Sequence, residues 1–529
     1  MFWSAVAGLL VLHVAIAWIL RQPIGVGNDD AIYLQLSRSL QGLSYREEYL
    51  VGAPWHSQYP PGYPMILAMI SAILGERLGV ILALSALISA GALFLVFDAT
   101  RRLWSPVLAL MVLAVCAVNP SLIQNAGEIA TETSYMAFSA LALWFSVRKP
   151  ESKTTIVLAI AAAIFSVLIR SAGVPLLAAF FFAWLIERRF QRAIVFAAAT
   201  AVFVGSWLAW TVVAPQRERG RSYVADATAL IKGRNAKGKA FLLPVRIGRN
   251  ARAYVLKSLP SKMNLPVISG TLIDNIIWLL VMVACIGLGS WMIWQRQWRL
   301  VILYLLLYAG LLVLWSWPIA RFLDPILPFV FLALLLGAWG FNRRFLPRFS
   351  WAIPIALTAM ITVSSLAQLA TGIAESRTCD RANPRESACF SAKERAFLNA
   401  AQYAKTQTEK SARFVSSKEG AFSYHTGREL VTIATVYHRG AEGIIDRMHS
   451  NNVSYVALGT GTGRERVLID ALHRVCDRLE VVQLFPPQAA ILRVLPGSQT
   501  DQSGQACGVL SRPAQDSSSD PDVPWSKRR

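Results

Sequence analysis

Long uninterrupted apolar blocks, separated by short polar turns, fill the chain up to about residue 375. Blocks at 2–20, 78–97, 154–169, 193–213, 276–294, 300–315 and 351–370 are long enough, or nearly so, to cross a hydrocarbon core of about 30 Å as helices. Shorter blocks at 106–118, 129–147, 174–186 and 322–340 reach that length if their polar flanks sit at the interface, giving about eleven spans. Residues 2–20 lack a basic start and a small-residue cleavage site, so they are expected to remain as a first span rather than leave as a signal peptide. Two segments read as helices lying along the interface. Residues 64–74 are apolar but too short to cross. Within 242–259, Arg246, Arg249 and Arg252 share one helical face, with Leu243, Ile247 and Val255 roughly opposite.

Beyond residue 375 the pattern becomes that of a soluble domain. Helical stretches at 392–405, 442–451 and 465–479 alternate with strand candidates at 413–416, 430–434, 453–458, 481–485 and 490–494. The predicted fold is an all-α polytopic membrane domain over 1–374, with a small external α/β C-terminal domain over 375–496. Residues 497–529, rich in Ser, Asp, Pro and Gln, are expected to be a disordered tail. No internal repeat is visible.

Composition agrees with the block pattern: 55% hydrophobic, 16% charged and a mean hydropathy of +0.45 exclude an ordinary soluble globule. The net charge of +21 invites a nucleic-acid partner, but its distribution argues against one. Basic residues gather in turns between spans: Arg101 and Arg102; Arg148, Lys149 and Lys153; Arg188, Arg189 and Arg192; Arg296 and Arg299; Arg343, Arg344 and Arg348. Alternating spans put these turns on one side, which the positive-inside rule makes cytoplasmic. The N-terminus is then cytoplasmic. The first loop (21–63) and the C-terminal domain are external, and in a bacterial inner membrane that domain is periplasmic. One external loop, 215–267, breaks the rule by carrying Arg217, Arg219, Arg221, Lys232, Arg234, Lys237, Lys239 and further cations, which points to a functional use of the charge. Cys116 and Cys285 fall within spans. Cys379, Cys389, Cys476 and Cys507 fall in the external domain, where Cys379–Cys389 with Cys476–Cys507 is the preferred pairing and four free thiols the alternative.

Polar residues that could carry chemistry collect at the external ends of spans. Asp29 and Asp30 stand in Gly27-Asn28-Asp29-Asp30-Ala31-Ile32-Tyr33. Adjacent carboxylates beside a membrane are costly unless used, although one of them could simply cap the following helix. Trp55-His56-Ser57-Gln58-Tyr59-Pro60-Pro61-Gly62-Tyr63-Pro64 is a rigid turn whose aromatics could equally be headgroup anchors. Asn125, Glu128 and Glu132 lie around the fourth span, with the two glutamates on one helix face. Arg170 ends the fifth span. Arg321 opens a late one, where it could pair with Asp324, snorkel to headgroups or hold a phosphate. Carboxylates suit general-base work on a hydroxyl, and cations suit a departing phosphate.

The chain resembles the C-type glycosyltransferase superfamily, in the branch of protein O-mannosyltransferases and aminoarabinose–lipid A transferases. The likeness rests on Asp29-Asp30-Ala31-Ile32-Tyr33, on Tyr59-Pro60-Pro61-Gly62-Tyr63-Pro64, on Glu132, and on Arg321-Phe322-Leu323-Asp324-Pro325-Ile326-Leu327-Pro328. It implies an inverting transfer of one sugar from a polyprenyl-phosphate donor to a lipid, glycan or protein acceptor on the external face. Asp29 would be the base, with Asp30 orienting it or sharing its charge. Tyr33, His56, Gln58, Tyr59 and Glu132 would bind substrate, and Arg170, Arg246, Arg249 and Arg321 would stabilise the phosphate. The aminoarabinose branch has Glu-Lys before its Pro-Pro, whereas this chain has Gln58-Tyr59. A transporter or flippase of lipid-linked sugars is the competing class, but it would place its charges near the bilayer midplane in repeated broken helices. No His, Cys and Asp cluster has metal-ligand spacing. No cofactor is read, and a divalent cation is left open.

Overall fold

The computed structural model describes residues 2–148, 152–214, 242–265, 272–315, 318–379, 389–437 and 443–511, apart from positions 26, 297, 346, 460, 462, 498 and 502. In chain order the first helices are α1 (Phe2–Ile19), α2 (Asp29–Gln41), α3 (Gly62–Leu74), α4 (Leu78–Leu103) and α5 (Pro106–Ala117). They are followed by α6 (Pro120–Ala126), α7 (Thr131–Arg148), α8 (Lys153–Ile169), α9 (Val174–Ile186) and α10 (Phe190–Val213). The later membrane-domain helices include Leu242–Ala253, Leu272–Gln295, Arg299–Leu314, Leu327–Phe345 and Ala352–Ser376.

Each predicted apolar block falls in a helix, yet length and composition establish fewer spans than the expected eleven. Among the described residues, five helical stretches are long and apolar enough to cross, or six if α5 and α6, bent by 65°, form one broken span. The others are shorter over the stretch that counts, as Leu279–Gln295 is, or, like α7 with Glu132, Thr133 and Ser134 in its first turn, less apolar. The basic run 215–241 lies outside the described residues.

Burial sorts the helices by role. Leu327–Phe345, apolar nearly all round, is the central helix, and its residues from Leu327 to Ala338 are buried. By contrast α10 turns Val195, Val202, Phe203, Val212 and Val213 outward, as a lipid-facing helix does. Without a hydrophobic drive between helices in lipid, close packing and polar contacts must hold the bundle. Gly289 and Gly337 supply the first. A β-carbon on Gly289 would collide with the carbonyl of Ala333, and one on Gly337 with that of Cys285. Leu272–Gln295 and Leu327–Phe345 therefore meet backbone to backbone. His13, fully buried in α1, supplies the second, reaching Ala117 O at 2.9 Å and Ser89 Oγ at 2.9 Å. At the opposite end of α4, Asp98 accepts from Arg101, Arg102 and the Trp144 indole and ties α4 to α7.

The C-terminal domain has a five-stranded sheet of order β2-β1-β3-β5-β4, built from β1 (Arg413–Ser416), β2 (Leu430–Val431), β3 (Val453–Leu458), β4 (Leu479–Phe485) and β5 (Ala489–Val494). The β2–β1–β3 pairs are parallel, and β3–β5 and β4–β5 are antiparallel. The expected strand at 430–434 stops early, because Thr432 caps the short helix Ile433–Val436. Helix Glu419–Thr426 was not foreseen. Cys379–Cys389 and Cys476–Cys507 are bonded as preferred. The second bond corrects the expectation for 497–529. It holds helix Gln505–Leu510, with Ala506 and Leu510 buried in the domain core, so this stretch is ordered. Residues 512–529 lie outside the described residues.

The Gly289–Gly337 crossing gives a direct test. Gly337→Leu is expected to abolish the monodisperse peak of detergent-solubilised protein in size-exclusion chromatography, whereas Gly310→Ala, with no atom near its added carbon, should elute unchanged.

Candidate active site

Four elements remote in sequence meet at one end of the bundle: the start of α2, the start of α7, the residue ending α8, and the 3-10 turn Ala320–Ile326. Asn28 occupies the N-cap position of α2 with φ of 69°, so Asp29 and Asp30 form the first helical turn rather than the cap. Unpaired N–H groups and the helix dipole favour carboxylates there. The Asp30 Oδ1 accepts the Ala31 N–H at 2.8 Å. The side chain of Asn28 serves another purpose: its Oδ1 accepts the Ala421 N–H of the C-terminal domain at 3.1 Å.

Glu132 is 3% exposed, and a carboxylate so buried persists as an anion only if cations surround it. Arg170 Nη1 lies 2.7 Å from Glu132 Oε1, and Arg321 Nε lies 3.3 Å from the same oxygen. Arg321 also reaches Asp29, Nη2 to Oδ2, at 2.7 Å. The Tyr59 hydroxyl donates to the other Asp29 oxygen at 2.9 Å. Arg321 is thus a bridge between two carboxylates, one buried and one partly exposed. Asp29, Asp30, Tyr33, Glu132 and Arg321 line a cavity of about 100 Å³, closed on one side by Phe390 of the C-terminal domain.

The turn carrying Arg321 is held from several directions. The Tyr254 hydroxyl accepts the Ile319 N–H at 2.9 Å, and the Tyr308 hydroxyl donates to Phe322 O at 2.8 Å. Arg170 lies over the Phe322 ring, 4.6 Å from its centroid. Asp324, 1% exposed, takes an ion pair from Lys262 at 2.9 Å and a hydrogen bond from Asn125 at 2.8 Å. So Asp324 partners Lys262 rather than the neighbouring Arg321.

The other expected site residues divide. Tyr33 faces the cavity, and Tyr59 touches it through Asp29. His56, 1% exposed, is turned inward. Its Nε2 accepts the Tyr59 N–H at 2.8 Å, which leaves the proton on Nδ1 to be donated to Glu47 at 2.7 Å. It stacks under Tyr59 with ring centroids 5.3 Å apart and positions that residue. Tyr45, whose hydroxyl burial pushes well above its ordinary range, with Glu47 adding to the effect, donates to Tyr59 O at 2.8 Å. Gln58, Arg246 and Arg249 do not line the cavity. The helix bearing the two arginines is instead fastened to Arg299–Leu314 and its end by Asn250, which donates to Val313 O and Trp315 O. Lys262, Tyr254, Tyr308 and Phe390 were not singled out for the site from sequence. Among the described residues no group of three or more His, Cys, Asp or Glu side chains converges as a metal site.

Solved structures share this architecture. ArnT from Cupriavidus metallidurans bound to undecaprenyl phosphate matches with a TM-score of 0.55 and 11% identity over 94% of this chain and 98% of that one. The archaeal oligosaccharyltransferase AglB from Archaeoglobus fulgidus, in complex with an inhibitory peptide and a dolichol-phosphate, matches with a TM-score of 0.54 and 12% identity over 90% and 72%. Identities this low speak to the fold. No curated protein matches the chain by sequence. The shared fold, with five apolar helices of spanning length among the described residues, makes the chain a multi-pass membrane protein. Residues 58–215, under a third of the chain, match the model of the dolichyl-phosphate-mannose-protein mannosyltransferase family.

Removing one partner of a buried ion pair strands the other charge, at a cost of about 3–5 kcal/mol. Lys262→Met is therefore expected to lower the unfolding temperature markedly, and Lys262→Met with Asp324→Asn should recover part of the loss. Both are read by thermal unfolding in detergent.

Proposed function

We propose that the chain transfers a single sugar from a polyprenyl-phosphate donor to a hydroxyl-bearing acceptor, with inversion at the anomeric carbon. The observation that carries this reading is the contact of Asp29 with Arg321 at the cavity wall, which sets a carboxylate base beside a cation suited to phosphate. The ArnT and AglB structures with undecaprenyl phosphate and dolichol-phosphate support a lipid-linked donor. The positive-inside pattern supports an external site, with the N-terminus cytoplasmic and, in a bacterial inner membrane, a periplasmic C-terminal domain.

The acceptor oxygen attacks the anomeric carbon from the face opposite the phosphate, and its proton passes to Asp29. The bond from that carbon to the phosphate oxygen breaks, and the polyprenyl phosphate leaves with the electron pair. Arg321, with its side chain 48% exposed, is free to turn toward the phosphate, while Arg170 stays with Glu132. Before the donor binds, Arg321 neutralises Asp29. An arriving phosphate competes for the guanidinium and draws it away from the carboxylate, which couples donor binding to acceptor activation. Tyr59 holds Asp29 in orientation, and Asp30 shares the helix terminus. The proposed step draws on Asp29, Arg170 and Arg321 and takes no group from a divalent cation.

Asp29→Asn keeps the shape and removes the base. It is expected to lower kcat by about 10²- to 10⁴-fold with a purified lipid-linked sugar, and undiminished transfer would refute the assignment. Arg321→Ala should weaken donor binding, read as a raised donor KM. Exhaustive treatment with EDTA should leave the rate of the wild-type protein unchanged.

A further inference from the structure

The opposite end of the bundle holds a second, larger cavity of about 460 Å³. α7 carries Glu132 of the candidate active site in its first turn and reaches this cavity with Phe145, Ser146 and Val147, about 20 Å further along its axis. Its walls bring together residues next to four of the basic turns seen in the sequence: Leu103, Val147 and Thr155, Arg189 and Arg192, and Arg296 and Arg299. The charges lining it are four arginines against one acid, Glu187, and that acid is already paired with Arg189 at 3.1 Å. The remaining wall is largely apolar and aromatic, with Phe180 and Trp184 prominent.

Two donors in this wall lack an acceptor. Trp298 is 3% exposed, and its indole N–H is buried without a hydrogen-bond partner; the Nε–H of Arg299 is buried in the same way. Buried N–H groups are ordinarily satisfied, so two orphans beside an arginine cluster mark a place for acceptor oxygens. Arginine forks and a phosphate match in geometry, and the aromatic wall suits the hydrocarbon that a lipid phosphate carries. Basic pockets between membrane helices take anionic headgroups by this chemistry.

We propose that this cavity is a binding site for the phosphate headgroup of an anionic membrane lipid, separate from the sugar-transfer site. Arg296 and Arg299 hold the phosphate oxygens, Trp298 donates to one of them, and the first methylenes of the chains lie on Phe180 and Trp184. The site stands independently of any role for Asp29.

Native mass spectrometry of the full-length chain in neutral detergent tests it, with phosphatidylglycerol and phosphatidylcholine as probes. One phosphatidylglycerol is expected to be retained per chain, in strong preference to phosphatidylcholine. Arg296→Gln with Arg299→Gln should weaken retention roughly tenfold or more, the scale of losing charge-assisted hydrogen bonds. Trp298→Phe, which keeps the aromatic wall, should weaken it several-fold at an unchanged unfolding temperature and serves if the double variant fails to fold. Equal retention of phosphatidylcholine, or undiminished retention in whichever variants fold, would overturn the proposal. Displacement of the lipid by millimolar inorganic phosphate would overturn the lipid assignment in favour of a soluble phosphate.

Discussion

The buried carboxylate of Glu132 is the constraint around which the candidate site is organised. A carboxylate at 3% exposure must be matched by fixed cations, and here both come from far along the chain, from Arg170 and Arg321. Meeting that need orders the turn after α8 and the 3-10 turn before the central helix. Arg321 then carries the constraint outward to Asp29, so a requirement set inside the bundle fixes the position of the exposed acid. The supports behind the turn, Tyr254, Tyr308 and the Lys262–Asp324–Asn125 cluster, keep Arg321 placed while its side chain as a whole stays about half exposed.

The first loop and the C-terminal domain form one continuous cover over this site. Leu50 bridges Leu430 at the edge of the sheet, where the Val51 N–H donates to Leu430 O and the Leu430 N–H donates to Tyr49 O. Gln35 donates to Gly420 O, Asn28 accepts from Ala421, and His425 contacts Gly25 O at 3.1 Å. The sheet edge is thus occupied by the loop that bears the acidic pair, and Phe390 enters the cavity wall as part of the same contact. The C-terminal domain, expected as a small external α/β unit, thus contributes to the candidate site.

The two ends of the bundle are chemically complementary. One gathers Asp29, Asp30 and Glu132 with two arginines; the other gathers arginines with one paired glutamate. Helices of the length of α7 and α8 separate the two clusters, so each works in its own dielectric surroundings. The asymmetry that orients such a chain in a membrane also gives its two surfaces different chemistry.

Hydrophobic pattern alone determined much of this protein: which stretches are helices, where the membrane domain gives way to an α/β domain, and which acids and arginines cluster at helix ends. Those features are local, because apolar periodicity and turn chemistry report on the backbone and its immediate solvent. The cysteine pairing was within reach too, since few pairings of four external thiols exist. Other features needed coordinates. Nothing near Asp324 in the sequence announces Lys262 as its partner, and nothing in the His56 motif reveals that the imidazole points inward to Glu47. The helix at 505–510 lies in a stretch whose surroundings read as tail, and the bond to Cys476 with the burial of Ala506 and Leu510 holds it in place. Asp29 and Arg321 are 292 residues apart. Each advertises its charge in the sequence, but their meeting depends on the packing of the whole bundle between them, which composition and spacing do not encode.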